Sequence, residues 1–239
     1  MDLQEFQKIF KEECKKNEIE FNEETSSKLY KYMNLILEWN TKINVTAIKD
    51  EKEFIVKHFI DSLTISKYIE DQKRILDIGT GAGFPGIPLK IYNLNSEFTL
   101  IDSVNKKITV LNDVIQKLSL DRIEALHVRA EELAQNQKYR EQFDVVTTRA
   151  VSSLVTISEY MLPFVKVGGI AICMKGPNIE EELKQSKNAI NILGGEIEKI
   201  EKININQEYE RNIIIIKKIN KTDKKYPRGQ GKPAKEPIQ

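Results

Sequence analysis

The first seventy residues carry apolar side chains at helical spacing. Two groups recur every three or four residues: Leu3, Phe6, Ile9 and Phe10, and then Leu29, Met33, Ile36 and Leu37. This spacing predicts two helices that each bury one face. Asn22, followed by Glu23 and Glu24, is a typical helix start with acids in the first turn. We expect the second helix to end near residue 40 and the segment 39–48 (WNTKINVTAI) to be a connection.

A third helical stretch, 54–68, has an apolar and a polar stripe. The apolar stripe is Ile55, Phe59 and Leu63, and the polar stripe is His58, Asp61 and Ser62. His58 and Asp61 are three residues apart, so they share one helix face. One interpretation is structural: Asp61 caps the helix or pairs with a partly buried histidine. The other is that both side chains serve a functional site.

Beyond residue 70, short β-branched runs alternate with helical stretches. The predicted strands are 75–78, 98–101, 123–127, 143–147 and 170–174, and the predicted helices are 108–118, 131–134, 154–164 and 179–193. This alternation predicts an α/β fold with a mostly parallel, doubly wound sheet. Two last β-rich segments, 197–205 and 212–219, should form an antiparallel pair. We therefore divide the chain into an N-terminal helical extension (1–70), an α/β domain (71–219) and a tail (220–239).

A glycine-rich turn follows the first predicted strand. Asp77 lies near the strand end, and Gly79, Gly81 and Gly83 follow at alternate positions. A dinucleotide-binding turn reads GxGxxG and holds a pyrophosphate at a helix N-terminus. Here the pattern is DxGxGxG, and S-adenosylmethionine (SAM) has an ammonium, a carboxylate and a sulfonium but no phosphate. The acid therefore favours SAM, although a glycine-rich loop alone is a weak signal.

Three further strand ends carry polar residues. Asp102 follows the second strand, 19 residues beyond Gly83, where an acid can accept both ribose hydroxyls; it could also cap the helix beginning near Asn105. Glu131 follows the third strand, where an adenine would lie, or is simply an acid in a first helical turn. Arg149 lies at the end of the fourth strand, in the segment 147–150, beside the expected reaction centre.

Charge is balanced overall but uneven along the chain. The sequence has 37 basic and 36 acidic residues, yet residues 217–239 contain eight basic and two acidic residues, a net charge of +6 against −5 for the rest. Two cysteines provide neither a disulfide framework nor a metal cluster. The N-terminus is charged from Asp2, and no apolar run could span a bilayer. We expect a cytoplasmic monomer that needs no metal and has no membrane partner.

Several motifs together resemble the ribosomal RNA small subunit methyltransferase G family, also called the glucose-inhibited division protein B family. They are WNTKINVT (39–46), HFIDSL (58–63), DIGTGAGFPGIPL (77–89), IDSVNKK (101–107), TRAVSSL (148–154), LPFVKVGG (162–169), MKG (174–176) and YPRGQGKPAKEP (226–237). The FPGIP segment is the most specific, because generic methyltransferases lack it. The sequence departs from the family pattern at Thr80, where serine is frequent, and at Gly229-Gln230, where a basic residue is common.

The resemblance implies a class I SAM-dependent methyltransferase fold and a Rossmann-like SAM-binding domain. It implies methylation of N7 of one guanine in the 16S rRNA of the small ribosomal subunit, with SAM as cofactor and S-adenosylhomocysteine (SAH) as product. Carried over by position, the cofactor contacts would be Gly79, Phe84, Ala130, Glu131, Arg149 and the segment Asp102, Ser103 and Val104. Asp77, Gly81 and Gly83 join them from the pattern of the turn.

Guanine N7 has an exposed lone pair, so its methylation requires no general base. Alignment of N7, methyl and sulfur, with stabilisation of the developing charge, should supply the catalysis. An arginine that binds both O6 and N7 is the commonest guanine contact, but here N7 must stay free. A carboxylate on N1 and N2 could read the base instead. Our candidate is Asp61, and its possible neighbours are Asn44, His58, Arg149 and Lys175.

The basic tail raises the question of where RNA binds. Its lysines could be solvated charge only, but Pro227, Pro233 and Pro237 reduce the entropy lost on fixing the tail. A docked tail would offer Lys224, Lys225, Arg228 and Lys232 to RNA, and the other candidate surface is Lys106, Lys107 and Arg129. Three alternative functions stay open: methylation of another RNA, a nicotinamide-dependent oxidoreductase, and a non-catalytic RNA-binding module.

Overall fold

The two N-terminal helices form where the apolar spacing predicts them. In the computed structural model, which describes residues 1–149, 152–206 and 209–239, α1 spans Leu3–Lys16 and α2 spans Glu23–Asn40. The Asn22 side chain accepts a hydrogen bond from the backbone N–H of Thr25 at 2.9 Å. The predicted start of α2 is therefore confirmed as a side-chain cap, which satisfies one of the free N–H groups of the first turn.

The third helical stretch is helical but irregular. It begins with α3 (Glu51–Phe54), continues as a π-helix (Ile55–Ile60) and one α-turn, α4 (Asp61–Leu63), and ends with a 3₁₀ turn (Ser66–Tyr68). The prediction of one continuous helix over 54–68 is wrong in this respect. π-Helical turns occur frequently at functional sites, and this one carries His58.

The seven strands form one sheet. They are β1 (Arg74–Ile78), β2 (Glu97–Asp102), β3 (Ile123–His127), β4 (Phe143–Arg149), β5 (Val165–Lys175), β6 (Gly195–Asn206) and β7 (Tyr209–Lys218). The order across the sheet is β3-β2-β1-β4-β5-β7-β6. The first five strands are parallel, and β7 is antiparallel to both of its neighbours. The predicted doubly wound sheet with a final antiparallel pair is confirmed.

Helices cover both faces of the sheet and enclose two apolar cores. The helices after β1 to β5 are α5 (Gly86–Tyr92), α6 (Asn105–Lys117), α7 (Ala130–Leu133), α8 (Leu154–Met161) and α9 (Glu180–Ile192). Alternate strand residues enter opposite cores, as Ile75 and Leu76 do, because successive side chains of a strand point to opposite faces. α1 and α2 pack into the same core as Ile75, so the N-terminal extension buries its apolar face on the sheet domain.

Two predicted boundaries, the end of α8 and the start of β5, are wrong. β5 begins at Val165, five residues earlier than predicted, and α8 ends at Met161 rather than at residue 164. Val165 pairs with Phe143 of β4, and the next pair is Ile170 with Val145, so the register shift lies in β5. The pairing of Val165 extends the strand. No helix in the described ranges combines the length and the apolar character needed to cross a membrane.

The tail docks on the domain and ends in a short helix, α10 (Lys232–Lys235). Arg228 binds Glu159 of α8 with Nη2 2.7 Å from Oε2 and Nε 3.0 Å from Oε1. The Thr156 hydroxyl, also on α8, donates to the backbone carbonyl of Pro233 at 3.1 Å. The tail thus lies against α8, on the face of the sheet that carries α7, α8 and α9.

Candidate cofactor and substrate site

The glycine-rich turn has the backbone conformation that its sequence requires. Gly79, Gly81 and Gly83 have φ of 68°, 63° and 102°, values at which side chains with a Cβ are strained. A Cβ at Gly83 would lie 2.6 Å from Tyr32 Oη, whereas a Cβ at Gly81 would meet only the carbonyl oxygen of Gly79, at 4.0 Å. Gly83 is therefore needed for packing against α2, and Gly81 faces open space.

Asp77 supports this turn from behind. Its side chain is fully buried, and its Oδ2 accepts a hydrogen bond from the Gly86 backbone N–H at 3.0 Å, while Oδ1 accepts from Thr147 Oγ1 at 3.3 Å. Burial raises the pKa of Asp77 to about 6, a shift that the hydrogen bond from Gly86 opposes. In this structure the buried Asp77 holds the start of α5, and its role as a cofactor contact stays a prediction.

Asp102 joins the end of β2 to the glycine-rich turn. Its Oδ2 accepts from the Gly81 backbone N–H at 3.0 Å and lies 3.4 Å from Lys107 Nζ, and its Oδ1 accepts from the Val104 N–H at 2.9 Å. It does not cap α6, because the residue in the cap position is Val104; that alternative is wrong. Ser103 and Val104 are exposed. The ribose role stays a prediction.

The end of β3 lies beside the end of β2, which carries Asp102. β2 pairs with β3 on one side and with β1 on the other, so the candidates after three neighbouring strands share one edge of the sheet. Ala130 begins α7, and the carboxylate of Glu131, which is 7% exposed, lies 3.8 Å from Arg129 Nη1. The glycine-rich turn, Asp102 and the start of α7 thus follow one another along this edge of the sheet.

Arg149, at the end of β4, is the centre of a buried polar cluster. Its Nη1 donates to Asp61 Oδ2 at 2.9 Å and to the Lys57 carbonyl at 3.0 Å, and its Nη2 lies 3.0 Å from His58 Nδ1. Asp61 also accepts from Arg211 Nε at 3.0 Å. We call Asp61, His58, Arg149, Arg211 and Tyr209 the arginine cluster. The motif continues through Ala150 and Val151, which lie outside the described residues.

Asp61 does not pair with His58. The two side chains meet through Arg149, and both Asp61 oxygens are occupied by arginines, so the prediction that Asp61 caps the helix or pairs with the histidine is wrong. Asp61 is completely buried. Its predicted role as the acceptor for guanine would therefore require it to exchange a guanidinium for the base.

His58 is held as a neutral ring. It stacks on Phe84 with ring centroids 4.1 Å apart and an interplanar angle of 5°, and its Nε2 lies 2.8 Å from Thr46 Oγ1. Burial, together with the positive charges of Arg149 and Arg211, lowers the pKa of His58 to about 3. Since Nδ1 accepts from Arg149, Nε2 carries the hydrogen and donates to Thr46. Asn44, two residues before Thr46, is exposed.

Sequence reasoning missed Arg211 and Tyr209. Both lie on β7, and the Tyr209 hydroxyl is 3.3 Å from Asp61 Oδ2 and also bonds Arg211. Burial raises the pKa of Tyr209 to about 12, and the Asp61 charge acts in the same direction. A charged residue two positions before the apolar run 213–216 was the available signal, because an arginine that close to a buried strand segment needs a buried partner.

The candidate RNA contacts differ in availability. Arg228 binds the buried Glu159, Lys175 binds Glu182 at 2.7 Å, and Lys107 lies against Asp102; the structure already gives each an acidic partner, so none is an unengaged phosphate ligand. The exposed candidates are Lys106, Arg129, Lys224, Lys225 and Lys232. Across the described ranges, no group of three or more His, Cys, Asp or Glu side chains is arranged to hold a metal ion.

Comparison with known proteins gives consistent matches in sequence. A family model described as rRNA small subunit methyltransferase G (GidB) matches residues 25–214. Curated relatives named "Ribosomal RNA small subunit methyltransferase G" include those of Clostridium kluyveri, 48% identical over 94% of this chain and 95% of the relative, and Alkaliphilus oremlandii, 46% identical over 98% and 99%.

Solved structures match the fold at low sequence identity. M. jannaschii TYW2 in complex with AdoMet has a TM-score of 0.56 and 14% identity, covering 74% of this chain and 81% of that one. M. capricolum TrmK in complex with SAH has a TM-score of 0.53 and 19% identity, covering 68% and 69%. At these identities the similarity shows the fold alone.

Proposed function

Because this chain belongs to the ribosomal RNA small subunit methyltransferase G family, we propose that it transfers the methyl group of SAM to N7 of one guanine in 16S rRNA. The observation that carries the proposal is the position of the arginine cluster. Arg149 and the glycine-rich turn follow β4 and β1, which are neighbours in the sheet. A base held near Arg149 would thus lie beside a cofactor held on the turn.

The turn fits SAM. The space above Gly81 is open, because a Cβ built there would meet only the Gly79 carbonyl oxygen, at 4.0 Å. The turn 79–83, Asp102 and Glu131 would hold the cofactor. SAM supplies an electrophilic methyl group on a positively charged sulfur.

The residues near the turn suit catalysis by positioning. His58 is neutral, with both ring nitrogens engaged, and the carboxylate of Asp61 is bound by two guanidinium groups. Neither is a free general base, and guanine N7 needs none, because its lone pair attacks directly. What this chain supplies is orientation of the base and a fixed electrostatic environment. In this scheme Arg149 touches the substrate, Asp61 and His58 position it, and the exposed Asn44 is a candidate to contact the base. Lys175 is 11% exposed and bound to Glu182, so it would have to leave that carboxylate to contact the base.

The proposed RNA surface includes the lysines of the docked tail. Lys224, Lys225 and Lys232 are exposed, and the triple substitution to glutamine should lower the slope of log affinity for RNA against log salt by about two, at about 0.7 per phosphate contact for single strands. An unchanged slope would indicate that RNA binds at the other candidate surface, which includes Lys106 and Arg129. Arg228 is not included, because its replacement would leave Glu159 buried without a partner.

The decisive test is methylation of 16S rRNA with radiolabelled SAM. Naked rRNA, an assembly particle and the small subunit are compared, and N7-methylguanine is mapped by aniline cleavage. One labelled guanine is the expected result, and Arg149→Gln, the substitution of the central arginine, should abolish it. Binding of SAM without methylation of any of the three substrates would refute the proposal, and binding of NADH in place of SAM would favour an oxidoreductase. Action on ribosomal RNA would place the protein in the cytoplasm.

A further inference from the structure

A groove separates α7 from the docked tail. It has a volume of about 650 Å³, with Arg129, Glu131 and Gln135 on the α7 side and Gly229, Gln230 and Lys235 on the tail side. Glu131 lines this groove and is also the proposed cofactor residue after β3. One side of the groove is therefore formed by the residues that follow β3, where an adenine would lie in a doubly wound sheet.

The tail wall of this groove is fixed by two guanidinium groups. Arg228 makes hydrogen bonds through its backbone N–H and its side chain to Glu159, which is 1% exposed, and its Nη2 also donates to the Glu236 carbonyl at 2.8 Å. Such charge-assisted, two-pronged bonds are among the strong ones in proteins. They hold residues 228–236 in one arrangement beside the groove.

The second guanidinium joins the two walls. Arg140 donates to the Ala134 carbonyl at 3.2 Å, directly after α7, and to the carbonyls of Thr222 and Tyr226 at 3.0 and 2.9 Å. One side chain thus sets the position of α7 relative to the start of the tail. Since α7 is only four residues long, it makes few helical hydrogen bonds of its own, and this external support fixes it.

We propose that the tail supplies the second wall of the pocket for the adenine end of the cofactor. The inference rests on the proposed SAM-dependent function and extends it, because it assigns residues 229–235 to cofactor retention. The tail then has two separate surfaces. Its groove-facing residues contact the cofactor, and the exposed lysines outside the groove remain available to RNA.

Gly229 allows a direct test. A Cβ at Gly229 would have no atom within 4 Å, and its φ is not in the left-handed region, so Gly229→Trp should fold and place an indole in the groove. The matched control is Lys224→Trp, which adds the same side chain at an exposed tail position that does not line the groove. Binding of SAH to the full chain is measured by calorimetry, and its dissociation by stopped flow.

We expect Gly229→Trp to weaken SAH binding by about tenfold or more, equivalent to at least about 1.4 kcal/mol. The SAH affinity of Lys224→Trp should stay within about twofold of that of the unmodified chain. A second variant, Glu159→Gln with Arg228→Gln, should speed SAH dissociation by releasing the wall without leaving a buried charge. Unchanged SAH affinity and dissociation in both variants would overturn the inference, as would a defect confined to the KM for RNA. Failure of the unmodified chain to bind SAH would instead refute the proposed function.

Discussion

Replacing Asp61 with asparagine should destabilise the fold strongly. Asp61 has no exposed surface, and the side chains of its partners Arg149 and Arg211 are only 11% and 14% exposed. Asparagine keeps the shape of the side chain but leaves two buried guanidinium groups without a counter-charge. Breaking a buried pair in this way costs about 3–5 kcal/mol, against a total stability of about 5–15 kcal/mol for a typical domain.

The measurement is urea unfolding followed by circular dichroism, with Glu210→Gln as the matched control. Glu210 also pairs across the sheet hairpin, with Lys202 at 2.9 Å, but the two side chains are 37% and 58% exposed, so its loss should cost about 1 kcal/mol or less. If Asp61→Asn also costs less than about 1 kcal/mol, the two arginines have other partners. The carboxylate would then be free to bind guanine, as the sequence suggested.

Three further predictions concern the cofactor turn and pH. Gly81→Ala should reduce SAM affinity by about tenfold or more in calorimetry. It should lower Tm by about 2–8 °C, since the turn conformation costs alanine about 1–2 kcal/mol. Wild-type affinity would refute the assignment of the open space above Gly81 to SAM. Asp102→Ala should weaken the binding of SAM by about 1.5–3 kcal/mol and should weaken the binding of a 2′-deoxy analogue far less. Equal losses for the two ligands would mean that Asp102 only supports the turn. The pKa of His58 is lowered to about 3 and that of Asp77 is raised to about 6, so both groups contribute to the slope of the unfolding free energy against pH near pH 5. His58→Gln should lower this slope by about 1.4 kcal/mol per pH unit, and Asp77→Asn should raise it by a similar amount. Shifts of the same sign in the two variants, measured by urea titration at pH 4.5–6, would contradict these assignments.

The signs for pH follow from proton binding in the two states. Between about pH 3 and 6.5 the unfolded chain protonates His58 and the native protein does not, so this group costs stability as the pH falls. Between about pH 4 and 6 the native protein protonates Asp77 and the unfolded chain does not, so this group adds stability as the pH falls. The two contributions have opposite signs, so each single substitution leaves the contribution of the other group unopposed.

The sequence predicted the fold well because its signals are local. Strand and helix periodicity, the Asn22 cap and the glycine spacing each depend on a few neighbouring residues, and all agree on one doubly wound sheet. Predicted boundaries were wrong where pairing between strands determines them. Val165 is a strand residue because it pairs with Phe143, and no local sequence pattern contains that information.

The site was only partly predictable for the same reason. That Asp102, Glu131 and Arg149 lie at one edge of the sheet could be predicted, because each lies at or just after the carboxyl end of a parallel strand; their roles stay predictions. The sequence marks Arg211 as an arginine beside a buried strand but could not identify its partner, since Arg211 reaches Asp61 from a strand 150 residues away in sequence. The apparent relation between Asp61 and His58 was equally misleading, because three-residue spacing shows that two side chains share a face and not which third group comes between them.

The position of β7 has a consequence for the biosynthesis of the protein. β7 is the last strand made, yet it lies between β5 and β6 and carries both Arg211 and Tyr209. A nascent chain that has emerged only as far as β5 can form the glycine-rich turn and the end of β2, but its Asp61 has one arginine instead of two. The glycine-rich turn can therefore assemble during translation. The arginine cluster and the groove beside α7 are completed only after the C-terminal hairpin and the tail leave the ribosome, so a prematurely terminated chain lacks both.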